Sequence, residues 1–238
     1  FLIFINDITD CLSAGVSSKL YADDVKLYTE LRCVTDAQCF QECLDRIHEW
    51  SVTWQLTISS QKCYVIEIGR PNAVSYGGPC SLGAQHILLS DQVSDLGIIV
   101  DSHLGFSKHI ANITCKAHQR ANLIHRCFTS KHRDLLVRAF ITYVRPILEY
   151  NSSVWCPSRI KDILLIESVQ RKFTKRIAGL SGLAYYSRLK RLNLDSLEVR
   201  RLRADMVLTY KVVFGLLNVS REKFFTLRNR PNLRGHGY

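Results

Sequence analysis

A chain of 238 residues with 47% hydrophobic side chains, 12 glycines and 5 prolines has enough apolar content for one large core or two smaller ones, which excludes a disordered chain. No apolar run reaches the roughly 20 residues of a membrane-spanning helix, and the opening Phe1–Ile8 is too short and lacks the basic flank of a secretory leader. The net charge of +11 is divided unevenly: residues 1–100 hold six Lys/Arg against twelve Asp/Glu, and residues 101–238 hold twenty-six against nine.

Phe1–Ile8 is almost wholly apolar and is expected to be buried, as a helix segment or a core strand. Val16–Tyr21 and Val25–Thr29 are β-prone, and they flank Ala22, Asp23 and Asp24. Asp tolerates a turn because its short side chain bonds nearby backbone N–H groups, so a β-hairpin is predicted with Asp23 and Asp24 at its solvent-facing tip. Such a tip can hold a divalent cation, since Mg²⁺ takes one or two carboxylates plus waters and substrate phosphates. Taken alone, an Asp-Asp pair in a turn is better read as a solvated loop.

Thr35 or Asp36 caps a helix running to about Trp50, with Ala37, Phe40, Leu44 and Ile47 on one buried stripe. Trp50 and Trp54 are expected in the core. Gln55–Ile58 and Cys63–Ile68 read as strands joined by a turn carrying Lys62. Gly69–Gly83, with Pro71, Gly77, Gly78 and Pro79, reads as a loop or loose hairpin. Gln85–Leu89 and Val93–Val100 are the next strand pair, and Gly97 inside an apolar strand implies close approach of another backbone or a ligand.

From Ser107 the period becomes helical: Phe106, Ile110, Ile113, Ala117, Ile124 and Phe128 share a face, with Lys108, Lys116, Arg120 and Arg126 elsewhere. Asp134–Tyr143 repeats the pattern until Pro146 breaks it. A third helix from about Lys161 to Ile177 buries Ile163, Ile166, Val169, Phe173 and Ile177. Arg171, Lys172, Lys175 and Arg176 crowd its end, where cations favour the helix dipole and could equally meet phosphates. Ser187–Leu192 continues as a short basic helix. Asp195-Ser196-Leu197-Glu198 has capping-box spacing and starts a helix through Phe214, with Leu202, Met206, Tyr210 and Val213 as its apolar positions and Arg200, Arg201 and Arg203 outside.

The nine cysteines are odd in number and contain no C-x-x-C, so they read as reduced and mostly buried; Cys39, Cys43 and His48 lack the four convergent ligands zinc needs. The fold class is therefore α+β. Residues 1–103 are β-rich, residues 104–222 helical and basic, and residues 223–238 a basic, disordered tail. An acidic half beside a basic half fits a metal-holding part beside one that grips a polyanion, and it also fits ordinary charged helix surfaces.

Tyr21-Ala22-Asp23-Asp24 resembles the catalytic xADD box, motif C, of reverse transcriptases. Phe1–Ile8 looks like the tail of motif B in the non-LTR (LINE-type, jockey-like) retrotransposon enzymes. Trp50 to Ile68 looks like motif D, with its lysine at Lys62 and with Ser59 where the family has Asn. Asp95–Asp101 is similar to motif E, the primer grip, at Leu96 and Gly97. Val144–Pro157, Val169–Leu180 and Ser187–Met206 resemble the region that follows the palm in these elements.

The resemblance implies the rear of a polymerase palm, an antiparallel sheet with helices, followed by an all-helical thumb and connection. It implies an RNA-directed DNA polymerase using Mg²⁺ or Mn²⁺ at Asp23, with Asp24 assisting, and Lys62 as proton donor. RNA template, DNA primer and dNTPs are the implied partners, with Lys108, Lys116, Arg120, Arg171, Lys172, Lys175 and Arg176 as candidate phosphate contacts. No membrane is implied, the location expected of such elements is intracellular, in cytoplasm and nucleus, and oligomeric state is left open. Motif A, which carries the other metal-binding carboxylate, would precede Phe1. With no Met at position 1, the chain is expected to be a piece of a longer reading frame that does not polymerise alone. Two alternatives stand beside this: a palm relic that only binds nucleic acid, and a metal-dependent phosphohydrolase drawing on Asp7 and Asp10.

Overall fold

A computed structural model describes residues 2–69 and 78–226, and the chain divides into two compact units between Phe106 and Ser107. The first unit mixes short strands with one long helix. It opens with α1 (Leu2–Ile5), continued by a 3₁₀ turn over Asn6–Cys11. A helix turns only one side inward. Ile5 and Ile8 are accordingly buried, while Ile3 and Phe4 are 89% and 56% exposed, so the expected burial of the whole stretch holds for one side alone.

Strands β1 (Ser17–Tyr21) and β2 (Asp24–Tyr28) form the predicted antiparallel hairpin, with Leu20 opposite Val25 and Tyr21 opposite Asp24. Helix α2 spans Val34–Thr53, and Leu44 and Ile47 of the predicted stripe are buried. Its N-cap is Cys33; Asp36 acts from the first turn, its carboxylate accepting the Arg32 and Cys33 N–H groups at 2.8 and 3.0 Å. Those bonds hold the Asp36 carboxyl below the usual range.

Gln55–Ile58 is not a strand. Gln55 takes φ +55°, and Gln55 N and Leu56 N bond Val52 O and Ser51 O, closing α2 with the paired bonds of a Schellman cap. Trp50 joins the cluster around Ile5, Ile8 and Ile47, whereas Trp54 is 45% exposed and meets Phe4 edge-on at 5.8 Å, so the core expectation fails for Trp54.

The remaining strands are short. Cys63–Ile68 contracts to β3 (Tyr64–Val65). Next come β4 (Ser81–Leu82), β5 (Gln85–His86), β6 (Leu88–Leu89), β7 (Gln92–Asp95) and β8 (Ile98–Asp101). Among the described residues these strands pair as separate two-stranded ladders: β1–β2, β4–β5 and β7–β8 are antiparallel, and β3–β6 is parallel. The expected strand Val93–Val100 is a hairpin instead, folded at Leu96–Gly97. Residues 70–77 of the expected loop and 227–238 of the expected tail lie outside the described residues.

Among the described residues, the elements from Ser107 onward are helical: α3 (Ser107–Cys127), α4 (Arg133–Tyr143), α5 (Arg145–Glu149), α6 (Ser152–Trp155), α7 (Ile160–Lys175), α8 (Tyr185–Leu192) and α9 (Leu197–Val213), then a 3₁₀ turn at Arg221–Lys223. Pro146 does interrupt the helix, and it starts α5, where a missing N–H costs nothing. Helices α3 and α7 run parallel: Ser107 Oγ bonds Asp162 at 2.6 Å, His118 meets Ser168 at 3.2 Å, and the His125 and Phe173 rings lie 4.4 Å apart. Around this pair sit Ile110, Ala117, Phe140, Leu148, Trp155, Ile166 and Val169, each at most 1% exposed.

Helix α9 reverses its expected orientation. Leu202, Met206 and Tyr210 are 56%, 74% and 56% exposed, while Leu197, Arg201 and Val212 are buried. Its cap is Ser196, accepting from Val199 N at 3.2 Å, and the other half of the capping role comes from α7. The Glu167 carboxylate accepts the Leu197 and Glu198 N–H groups at 3.3 and 3.2 Å and the Tyr185 hydroxyl. Burial and this carboxylate push the Tyr185 hydroxyl well above its ordinary pKa. All nine cysteines are free, but only Cys43 is buried, which corrects the expectation that most would be. The α+β class stands, with helix predominating; in place of one antiparallel palm sheet the described residues form these short ladders.

Candidate functional site

The β1–β2 hairpin is positioned from below. Leu20, Val25 and Leu27 share its inner face and pack on Ile5, Ile8, Ile47 and Trp50. The connection has two residues, Ala22 and Asp23, and Ala22 takes φ +54°, the left-handed region where a Cβ is unfavourable. Asp23 therefore stands in the turn and Asp24 opens β2. Both are exposed, and neither carboxylate has a hydrogen-bond or ion-pair partner among the described residues.

Strand alternation puts Lys26 on the opposite face from Val25 and Leu27, the face it shares with Asp24. Lys26 Nζ reaches Asp95 Oδ2 at 2.7 Å and Oδ1 at 2.5 Å, with side chains 39% and 36% exposed. Asp95 ends β7 and is followed directly by Leu96 and Gly97, whose φ values of +45° and +82° are those of a type I′ hairpin turn. The ion pair thus braces the carboxylate hairpin against the hairpin carrying the predicted primer-grip residues. Gly97 is required for its positive φ in this turn, which corrects the reading of a glycine within a strand. Lys26 went unnoticed in the sequence, although its place between Val25 and Leu27 already turned it away from the core.

Lys62 ends a 3₁₀ turn over Ser60–Lys62 and is exposed, with no bond to Asp23 or Asp24 among the described residues. Its neighbours Gln61, Cys63 and Tyr64 line a cleft of about 550 Å³ with Gln85 and His86. Asp7 and Asp10 do not complete a metal site: among the described residues, no three His, Cys, Asp or Glu side chains converge on one point. The phosphohydrolase alternative loses its ligands.

In the second unit Lys108, Lys116, Arg120, Lys172 and Lys175 are exposed and carry no ion pair among the described residues. Arg176 bonds Asn122 Oδ1 at 2.6 Å, and Arg171 lies 4.9 Å over the Tyr185 ring, so these two also hold helices together. Lys172 faces His118 of α3 and, after burial, helps to hold that imidazole below its ordinary pKa. Lys116 and Arg120 are each two residues from His118, about 200° around the helix. They occupy the other flank of α3, so the predicted phosphate contacts form two groups. No helix among the described residues is long and apolar enough to cross a membrane.

The chain is similar to the RNA-directed DNA polymerase of the mobile element jockey from Drosophila funebris, with 25% identity over 194 residues, 80% of this chain. The jockey polymerase of Drosophila melanogaster is 26% identical over 192 residues, 79% of the chain, and a probable RNA-directed DNA polymerase from its transposon X-element is 25% identical over 67% of the chain. The chain spans 21%, 20% and 18% of the lengths of these three curated relatives. No family model and no solved structure matches it. The likeness to non-LTR retrotransposon polymerases extends over most of the chain.

Proposed function

We propose that this chain supplies the rear of a reverse-transcriptase palm and the helical region that follows it, from the RNA-directed DNA polymerase of a non-LTR retrotransposon. The observation that carries this reading is the exposed, unpartnered Asp23–Asp24 pair at a two-residue hairpin tip, braced through Lys26–Asp95 to the Leu96–Gly97 turn. An exposed pair of carboxylates fits a hard divalent cation that keeps several waters. Asp23 is the metal ligand and Asp24 assists it. Mg²⁺ or Mn²⁺ held there would supply charge stabilisation for nucleotidyl transfer. Lys62 donates a proton to the departing pyrophosphate, and the Leu96–Gly97 backbone steadies the primer end. Lys108, Lys116, Arg120, Lys172 and Lys175 meet phosphates of the RNA template and DNA primer, with Arg171 and Arg176 at the margin. An intracellular location, in cytoplasm and nucleus, follows from this reading.

Two-metal transfer needs carboxylates from two places, and the described residues offer one. The 238-residue chain alone is therefore expected to bind primer–template without extending it. Incubation with primer–template, dNTPs and Mg²⁺ tests this: cDNA made by the chain and lost in Asp23→Asn would overturn the expected inactivity. A second reading, a palm relic that only binds nucleic acid, is favoured by the charge of residues 107–238, twenty-six Lys/Arg against eight Asp/Glu. Both readings require steeply salt-dependent binding, about 10³-fold or more weaker at 200 than at 50 mM salt for six or more phosphate contacts. Salt-independent or undetectable binding would sink both.

A further inference from the structure

Between α4 and the end of α8 lies a cavity of about 360 Å³. Its floor is apolar, from Val137, Ile141 and Leu192, and three arginines, Arg133, Arg138 and Arg191, stand around it. Asp134 is the one carboxylate in the wall; it pairs with Arg133 at 3.3 Å, but the two side chains are 71% and 53% exposed, so the pair is weak and easily exchanged. Arg138 and Arg191 are exposed and have no carboxylate partner among the described residues. Arg191, in the last turn of α8, has a modest structural reason to be basic in the helix dipole. Arg138, in the middle of α4, follows Asp134 by one turn, a spacing at which opposite charges attract weakly, but Asp134 pairs with Arg133 instead.

Guanidinium groups are planar forks that match phosphate oxygens bidentately, and three of them around one opening select for a polyanion over a lone carboxylate. The volume lies at the small end of ligand sites, about 300–1,000 Å³. The apolar floor suits the face of a sugar and base more than a hydrated ion. We propose that this cavity seats one nucleotide of a bound nucleic-acid strand, its flanking phosphates held by Arg138 and Arg191 with Arg133, its sugar and base against Val137, Ile141 and Leu192. This rests on the reading that the chain binds nucleic acid. It adds a seat outside the basic positions named from the sequence.

The test is fluorescence anisotropy of the full chain with a labelled RNA–DNA primer–template carrying a single-stranded RNA overhang, titrated from 50 to 200 mM salt. Arg138→Gln/Arg191→Gln is expected to weaken binding about tenfold at 100 mM salt and to lower the salt slope by about one or more. Arg138→Lys/Arg191→Lys is expected to keep the slope while losing part of the affinity, because the charge stays and the fork is lost. Thermal melting of each variant checks the fold, which two exposed side chains should not disturb. Wild-type binding that is unchanged in the Gln variant would overturn the cavity and leave nucleic-acid binding standing. No binding by the wild type would overturn both, as would binding only to anionic phospholipid vesicles that the Gln substitutions abolish.

Discussion

Of the buried apolar side chains among the described residues, seven belong to residues 1–106 and twenty-one to residues 107–238. The first unit holds six Lys/Arg against thirteen Asp/Glu, the second twenty-six against eight. The first spends its length on two-residue turns and ladders of two to five residue pairs, which aim short side chains at chosen points but cover little surface. The second folds its helices around Phe140, Trp155, Ile166 and Phe173; of its buried polar groups, Glu167 and Arg188 cap or tie helices, whereas the Thr114 hydroxyl and the terminal nitrogens of Arg201 have no hydrogen-bond partner among the described residues. The difference separates two tasks. Presenting carboxylates to solvent needs a stiff tip on a small base, whereas a basic surface that must not repel itself apart needs a large apolar core beneath it.

The largest effect that bears on this contrast is cavity creation. Phe140→Ala, at 0% exposure, is expected to destabilise the helical unit by about 4 kcal/mol. Ile47→Ala, in the thinner cluster of the first unit, is expected to cost about 2 kcal/mol, near the lower end for such truncations. Urea unfolding of the full chain followed by hydrogen exchange measures both; equal losses would erase the contrast in packing.

Acid comes next. His109 and His125 are buried, and burial holds both imidazoles below their ordinary value of 6.5, helped by Lys116 for the first and by Arg176 and Lys131 for the second. Below about pH 6.5 the unfolded chain takes up protons that the folded unit refuses, so stability present at neutral pH falls until the folded values are reached. Melting of the helical unit is expected at lower temperature at pH 5.5 than at pH 7.5. The buried imidazoles among the described residues, His109 and His125, both belong to the helical unit, so the strand amides of the first unit should show a weaker pH response over that interval.

The smallest effect concerns the turn itself. Because Ala22 sits at φ +54°, Ala22→Gly should relieve strain and stabilise the hairpin by about 1 kcal/mol, read as slower amide exchange in Ser17–Tyr28. Faster exchange would show that Ala22 fits its turn better than a free glycine does.

Local patterns made much of this legible. The hairpin followed from β-prone runs around two turn-tolerant carboxylates, and α3 from the recurrence of Ile110, Ile113, Ala117 and Ile124. Where a tertiary partner decides, the chain misleads. Gln55 closes α2 in the left-handed region although it is not glycine, so the residues after it read as strand. Leu202, Met206 and Tyr210 form a good apolar stripe, yet α9 turns Arg201 inward because Glu167 of α7 fixes its first turn. At the candidate site, Asp23 and Asp24 were evident from their turn, but Lys26 and Asp95 are 69 residues apart and no local pattern joins them. Arg138 of α4 and Arg191 of α8 likewise line one cavity although they lie far apart in the chain.

The central claim is that the tip of the first hairpin is one half of a metal site. Titration of Mn²⁺ into the isotopically labelled 238-residue chain, followed by paramagnetic broadening of its amide signals, tests it most directly. Weak, saturable broadening centred on Ala22–Val25 that disappears in Asp23→Asn is the predicted result; broadening elsewhere, or broadening at the tip that Asp23→Asn leaves intact, would contradict it.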